Sequence, residues 1–145
     1  MKTTRILVAD ANASFLLGAM ASLSRLPHVE IVGCNATAAE AVVQAEALFP
    51  DILVLDADTL SPDGWRSLRR LLARPERPRV VVTAKDLEGE NCLLARVAGA
   101  DVCLRKDELG TSLFPMFDGM PASRKSASTT GRPVRAPTLP RSTSA

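Results

Sequence analysis

Pro50-Asp51-Ile52-Leu53-Val54-Leu55-Asp56 is the stretch on which the fold turns. Its four consecutive apolar residues form a short continuous run, the signature of a strand buried on both faces, and the run stops abruptly at an acid. Runs of the same kind occur at Ile6–Ala9, Val29–Gly33 (broken only by Glu30), Val80–Val82 and Val102–Leu104. The stretches between them have helical spacing. Leu16, Met20, Leu23 and Leu26 share one face after a candidate Ser14 cap, and Ala38, Ala41, Val42, Ala45 and Leu48 share another after Thr37. Leu68, Leu71 and Leu72 mark a third helix, and Leu93, Leu94, Val97 and Ala98 a fourth that stops at Gly99. Short apolar strands alternating with amphipathic helices predict an α/β fold with a parallel sheet covered on both faces.

A fifth helix is weakly encoded. Leu109, Leu113, Met116 and Phe117 have the spacing, but Gly110 sits in the first turn and Pro115 removes an internal hydrogen bond, at a cost of about 3 kcal/mol. From Gly119 on, Ser, Thr, Pro, Arg and Ala dominate, a composition that cannot offset its own ordering entropy. The sequence therefore divides into a domain over 1–118 and a tail over 119–145 that is expected to be disordered. All 16 acidic residues lie in the first part with 13 basic ones, whereas the tail holds 5 basic residues and no acid. The overall charge of +2 thus belongs to the tail and gives no reason to assign nucleic-acid binding to the domain.

Cys34, Cys92 and Cys103 are an odd number without close spacing, which supports neither a disulfide framework nor a zinc site; they read as small packing residues in a reducing compartment. The apolar run before Asp10 is too short for a signal peptide or a membrane span, so a cytoplasmic protein without membrane contact is expected. His28, in a loop after Pro27, has no neighbouring base or nucleophile and reads as a surface residue.

The chemistry gathers at strand ends. Asp56, Thr83 and Lys106 terminate the third, fourth and fifth apolar runs. A carboxylate can accept a phosphoryl group as an acyl phosphate, and a hydroxyl and an ammonium can bind the phosphoryl oxygens. If the strand order is 2-1-3-4-5, the flavodoxin-like arrangement, Asp10 at the end of strand 1 becomes a neighbour of Asp56.

These pieces together, ILVAD ending at Asp10, PDILVLD ending at Asp56 with Gly64 downstream, VVVTA with Thr83, and AGADVCLRKD with Lys106, resemble a two-component response-regulator receiver domain from about Thr4 to Phe117. The segment from Pro27 to Asp56 is most similar to receivers that precede a DNA-binding helix-turn-helix, a domain that the 27 tail residues are too few to supply. The resemblance implies a flavodoxin-like (βα)5 three-layer sandwich with sheet order 2-1-3-4-5. It implies Asp56 as phosphoacceptor, Thr83 and Lys106 as phosphoryl-binding groups, and Mg²⁺ held by Asp10 and Asp56. A histidine kinase or phosphotransfer protein would be the donor and an unknown protein the output partner, with a weak homodimer allowed and no direct DNA binding.

Three departures shape the expectation. Ala11 stands where the family has a second acid, which predicts weak Mg²⁺ binding, since loss of even an outer partner costs about 10- to 100-fold in metal affinity. Asp58 could compensate through its backbone carbonyl or, if strand geometry continues past Asp56, through its side chain, because positions i and i+2 share a side; a solvated loop aspartate is the plainer reading. Cys103 stands where such receivers usually carry Tyr or Phe, and Thr59-Leu60 where Met-Pro is common. Two alternatives remain beside a single-domain, non-enzymatic receiver. One is a phosphorylation-independent pseudo-receiver. The other is a haloacid-dehalogenase-like phosphatase, since Leu55–Leu60 also resembles the Asp-x-Asp nucleophile loop of those enzymes, in which the second carboxylate is the acid/base. The latter reading would be favoured by an Asp56 strand at the edge of the domain.

Overall fold

The computed structural model describes residues 3–109. Five parallel strands, β1 (Thr4–Ala9), β2 (Val29–Asn35), β3 (Ile52–Asp56), β4 (Arg79–Ala84) and β5 (Val102–Arg105), form one sheet in the order β2-β1-β3-β4-β5. Four helices connect them: α1 (Ala13–Ser24), α2 (Ala38–Leu48), α3 (Pro62–Leu72) and α4 (Glu90–Ala98). This is the flavodoxin-like arrangement expected from the sequence. The expected fifth helix, apart from Leu109, and the tail over 119–145 lie outside the described residues.

The continuous apolar runs exist because both faces of the sheet are covered. Residues of one parity, among them Leu7, Leu53, Leu55, Val80 and Val82, meet Ala41, Val42 and Ala45 of α2, Leu68 and Leu71 of α3, and Ala95 of α4. The other parity, Ile6, Val8, Ile52, Val54 and Val81, meets Ala19 and Leu23 of α1 and the buried Leu109. Trp65, near the start of α3, packs against the first of these clusters.

Helix boundaries obey local chemistry. Thr37 caps α2, its hydroxyl accepting from the Glu40 amide at 3.1 Å. Asn12, not Ser14, caps α1, by accepting from the Phe15 amide at 3.0 Å. Both side chains can cap, and the helix begins one residue before Ser14. Ser61 caps α3, with Pro62 in its first turn. Gly99 ends α4 at φ 112°, a left-handed conformation that glycine adopts without strain. Between Ile6/Ile31 and Leu7/Gly33 the β1–β2 register shifts by one residue, and a side chain at Gly33 would collide with Leu7.

The structure corrects one reading of the cysteines. Cys92 of α4 and Cys103 of β5 are joined by a disulfide, with Cα atoms 6.4 Å apart. Their separation of 11 residues looks unremarkable in the sequence, but the tight α4–β5 connection returns the chain to the sheet directly beneath the helix. Cys34 is a free thiol and is exposed rather than packed.

Candidate functional site

The sheet order places β1 beside β3, so the chain leaves both strands into a common crevice at their carboxyl ends. Asp10, the residue after β1, and Asp56, the last of β3, are both almost fully buried, at 2% and 4% exposure. Lys106, immediately after β5, reaches across β4 and sets its Nζ 2.8 Å from Asp10 Oδ2 and 3.4 Å from Asp56 Oδ2. The same ammonium lies 4.6 Å from the centre of the Phe15 ring, a cation–π contact from the first turns of α1. Burial draws the Lys106 pKa down, but the contacts with Asp10 and Asp56 outweigh it and hold the pKa above the ordinary lysine value. It is an ammonium at neutral pH.

Each carboxylate is also held by its own loop. Asp10 Oδ1 accepts from the Asn12 amide at 2.8 Å. Asp56 Oδ1 accepts from the Asp58 amide at 3.1 Å, and Oδ2 from the Thr59 hydroxyl at 2.9 Å. Asp10 Oδ2 has no hydrogen bond of good direction; the ammonium beside it is an ionic neighbour standing off the bonding line. A metal ion at this oxygen would have to share it with that ammonium.

Thr83 pairs with Asp56 in the β3–β4 register and is fully buried. Its hydroxyl donates to the Leu55 carbonyl at 3.4 Å, so it stands next to the acid pair without touching it. Asp58 is placed differently. Beyond Asp56 the chain enters a 3-10 turn, Ala57–Thr59, which ends the two-residue alternation of the strand. The Asp58 carboxylate accordingly turns towards the β4–α4 loop, where it accepts from the Lys85 amide at 2.8 Å and the Asn91 side chain at 3.1 Å. The side-chain route to a metal proposed for Asp58 is therefore occupied by other partners, and only its backbone carbonyl remains for that purpose. Among the described residues no cluster of three or more His, Cys, Asp or Glu is arranged to hold a metal.

Two contributors escape sequence reasoning. Thr59 folds back onto Asp56 because the 3-10 turn brings position i+3 round, and Phe15 meets Lys106 only through the sheet order. Neither has a signal in the sequence beyond its residue type.

Fold and site define a class: the described residues form a single domain with the receiver-like fold. No protein-family model matches the chain. The protein-glutamate methylesterase/protein-glutamine glutaminase 2 of Cereibacter sphaeroides is 32% identical over 120 residues, covering 82% of this chain and 32% of that protein. The chain thus spans about a third of the length of the curated relatives it matches. The signal receiver domain of the putative response regulator NarL from Mycobacterium tuberculosis superimposes with a TM-score of 0.73 at 24% identity, over 82% of this chain and 96% of that one. A structure described as the P1 domain of CheA3 in complex with CheY6 from R. sphaeroides matches with a TM-score of 0.67 at 18% identity, over 81% of this chain and 99% of that one. The structural likenesses establish the fold.

Proposed function

We propose that this chain is an atypical response-regulator receiver that accepts a phosphoryl group on Asp56 and signals by protein contact. The observation that carries the proposal is the placement of one ammonium, Lys106 Nζ, between the buried carboxylates of Asp10 and Asp56. In the transfer, an Asp56 carboxylate oxygen attacks the phosphorus of a phosphohistidine. The P–N bond breaks and the imidazole leaves, taking a proton from solvent. Lys106 balances the added negative charge, and Thr83 turns its hydroxyl from the Leu55 carbonyl to a phosphoryl oxygen.

Mg²⁺ fits this site as a weak ligand. Asp10 and Asp56 would hold it through the carboxylate oxygens that face Lys106, with the Asp58 backbone carbonyl as a further oxygen. When bound, the ion supplies positive charge for the phosphoryl oxygens. Ala11 offers no third carboxylate, and Lys106 competes for the same two acids.

The donor is a histidine kinase or phosphotransfer protein, and the location cytoplasmic; among the described residues no helix is long and apolar enough to cross a membrane. A DNA contact is not part of the proposal. Nor is hydrolysis: the phosphatase reading needs the Asp58 carboxylate as acid/base, and that group is engaged with Lys85 and Asn91, while β3 is the central strand rather than an edge. A pseudo-receiver that works without phosphorylation draws its support from the exposed Ala11 and from the Thr83 hydroxyl turned to Leu55. Radiolabel transfer decides between them. A phosphorylated histidine phosphotransfer domain should pass its label to this chain and not to Asp56→Asn; labelling of neither protein favours the pseudo-receiver.

A further inference from the structure

Helix α4 is attached to the sheet by very little apolar surface. Its buried residues are Cys92 and Ala95, both small, whereas Leu93, Leu94 and Val97 face outward at 58%, 43% and 63% exposure. By contrast, α3 buries Leu68 and Leu71, and α2 buries Ala41, Val42 and Ala45. A polar tie, the Asn91–Asp58 hydrogen bond, holds the start of α4. The disulfide from Cys92 to Cys103 is the covalent fastening between helix and sheet. Its two sulfurs belong to unequally exposed residues: Cys92 is fully buried, while Cys103 is partly exposed.

We infer that Cys92 and Cys103 form a reversible thiol–disulfide couple, a redox modification site on the α4–β5 seam whose oxidant is a small disulfide of the glutathione class. Cys103 is the point of entry, because it is the residue that solvent reaches. Its thiolate attacks one sulfur of the small disulfide, forming a mixed disulfide and releasing one small thiolate, which is protonated to the thiol. The Cys92 thiolate then attacks the Cys103 sulfur, closing the internal bond and releasing the second small thiol. Two cysteine protons end on two small thiols, and the two electrons lost by the cysteines reduce the small disulfide. Reduction runs the same path backwards. The oxidised state clamps α4 to β5, three residues before Lys106; the reduced state leaves the helix on its two-residue seam. This couple is independent of phosphoryl chemistry at Asp56.

The test uses the full chain carrying Cys34→Ser, which removes the exposed thiol. Oxidised and reduced samples are each equilibrated with a series of oxidised and reduced glutathione mixtures, quenched with acid, alkylated and mapped by mass spectrometry. The expected result is a Cys92–Cys103 fraction that rises with the proportion of oxidised glutathione and is the same from either starting state. Cys92→Ser should accumulate glutathione at Cys103, and Cys103→Ser should take up at least tenfold less at Cys92. Hydrogen exchange should be at least tenfold faster across 92–98 in the reduced protein. A bond that does not open in the folded protein, or thiols that never pair, overturns the couple; equal exchange in both states overturns the clamp.

Discussion

At the amino end of the sheet, Asp101 accepts from Arg77 Nη1 at 2.8 Å and Nη2 at 3.3 Å, from the Val80 amide at 2.8 Å and from Arg79 Nη1 at 3.5 Å. At the carboxyl end, Asp10 and Asp56 share a single ammonium, and one Asp10 oxygen has no well-directed donor. The Asn35 side-chain oxygen, on the strand end beside Asp10, is also unbonded. Both ends bury charge in the same small domain. The amino end directs four donors at one carboxylate, with the Arg79 Nε left unpartnered; the carboxyl end gathers two carboxylates around one cation and stays open, one positive charge short. Unpartnered buried atoms occur at both ends, so it is the excess of buried carboxylates over cations in the crevice that singles out the carboxyl end as the candidate site.

The contrast breaks most visibly under substitution. Asp101→Ala leaves Arg77, at 7% exposure, as an uncompensated buried charge, and should cost about 3–5 kcal/mol in urea unfolding. Reducing the Cys92–Cys103 bond releases a short closed loop and should cost about 3 kcal/mol in the same assay. Asp10→Asn should cost under about 1 kcal/mol, since Lys106 keeps Asp56 as its partner and the repulsion between two acids is relieved. Equal losses for Asp101→Ala and Asp10→Asn would mean that the two ends are built alike.

Ala11→Asp should sharpen the difference by adding a carboxylate to the open end. The expected effect is at least tenfold tighter Mg²⁺ binding, about 1.4 kcal/mol, read by Trp65 fluorescence or calorimetry. Asp58→Asn should change Mg²⁺ affinity little in either background, because its carboxylate serves Lys85 and Asn91; the two substitutions should therefore be additive.

The pH dependence separates the ends in the same way. Burial pushes the Asp101 carboxyl up, but the charge and hydrogen bond of Arg77, the Val80 amide and the charge of Arg79 outweigh it and hold the pKa below the usual aspartate value. With a depressed folded pKa, its stabilisation is complete above the unfolded value of 3.8 and is lost as pH falls through the lower folded one. The stability gap between the natural chain and Asp101→Asn should therefore be constant from neutral pH to about 5 and shrink below about 4.

Much of this was legible in the sequence, for identifiable reasons. Parallel strands buried on both faces must be continuously apolar, so β1 to β5 stand out as runs, and strand ends fix where Asp10, Asp56, Thr83 and Lys106 fall. The path of the chain just past a strand end is not legible in the same way. Carrying the alternation of β3 past Asp56 aimed Asp58 at the metal position, but the 3-10 turn over Ala57–Thr59 rotates it out and brings Thr59 in. Thr83 lies beside Asp56 in the β3–β4 register, while the direction of its hydroxyl depends on a rotamer that the sequence does not encode. The Cys92–Cys103 pairing depends on how α4 meets β5, which no spacing rule encodes. The resemblance supplied the strand order that brings Asp10 to Asp56, a long-range relation that local pattern alone leaves open.

The central claim is that the open end accepts a phosphoryl group at Asp56. Its most direct measurement is peptide mass mapping after incubating the full chain with a small acyl-phosphate donor and Mg²⁺. The account predicts a base-labile adduct confined to Asp56 and absent from Asp56→Asn; an unlabelled natural chain, or equal labelling of both proteins, would contradict it.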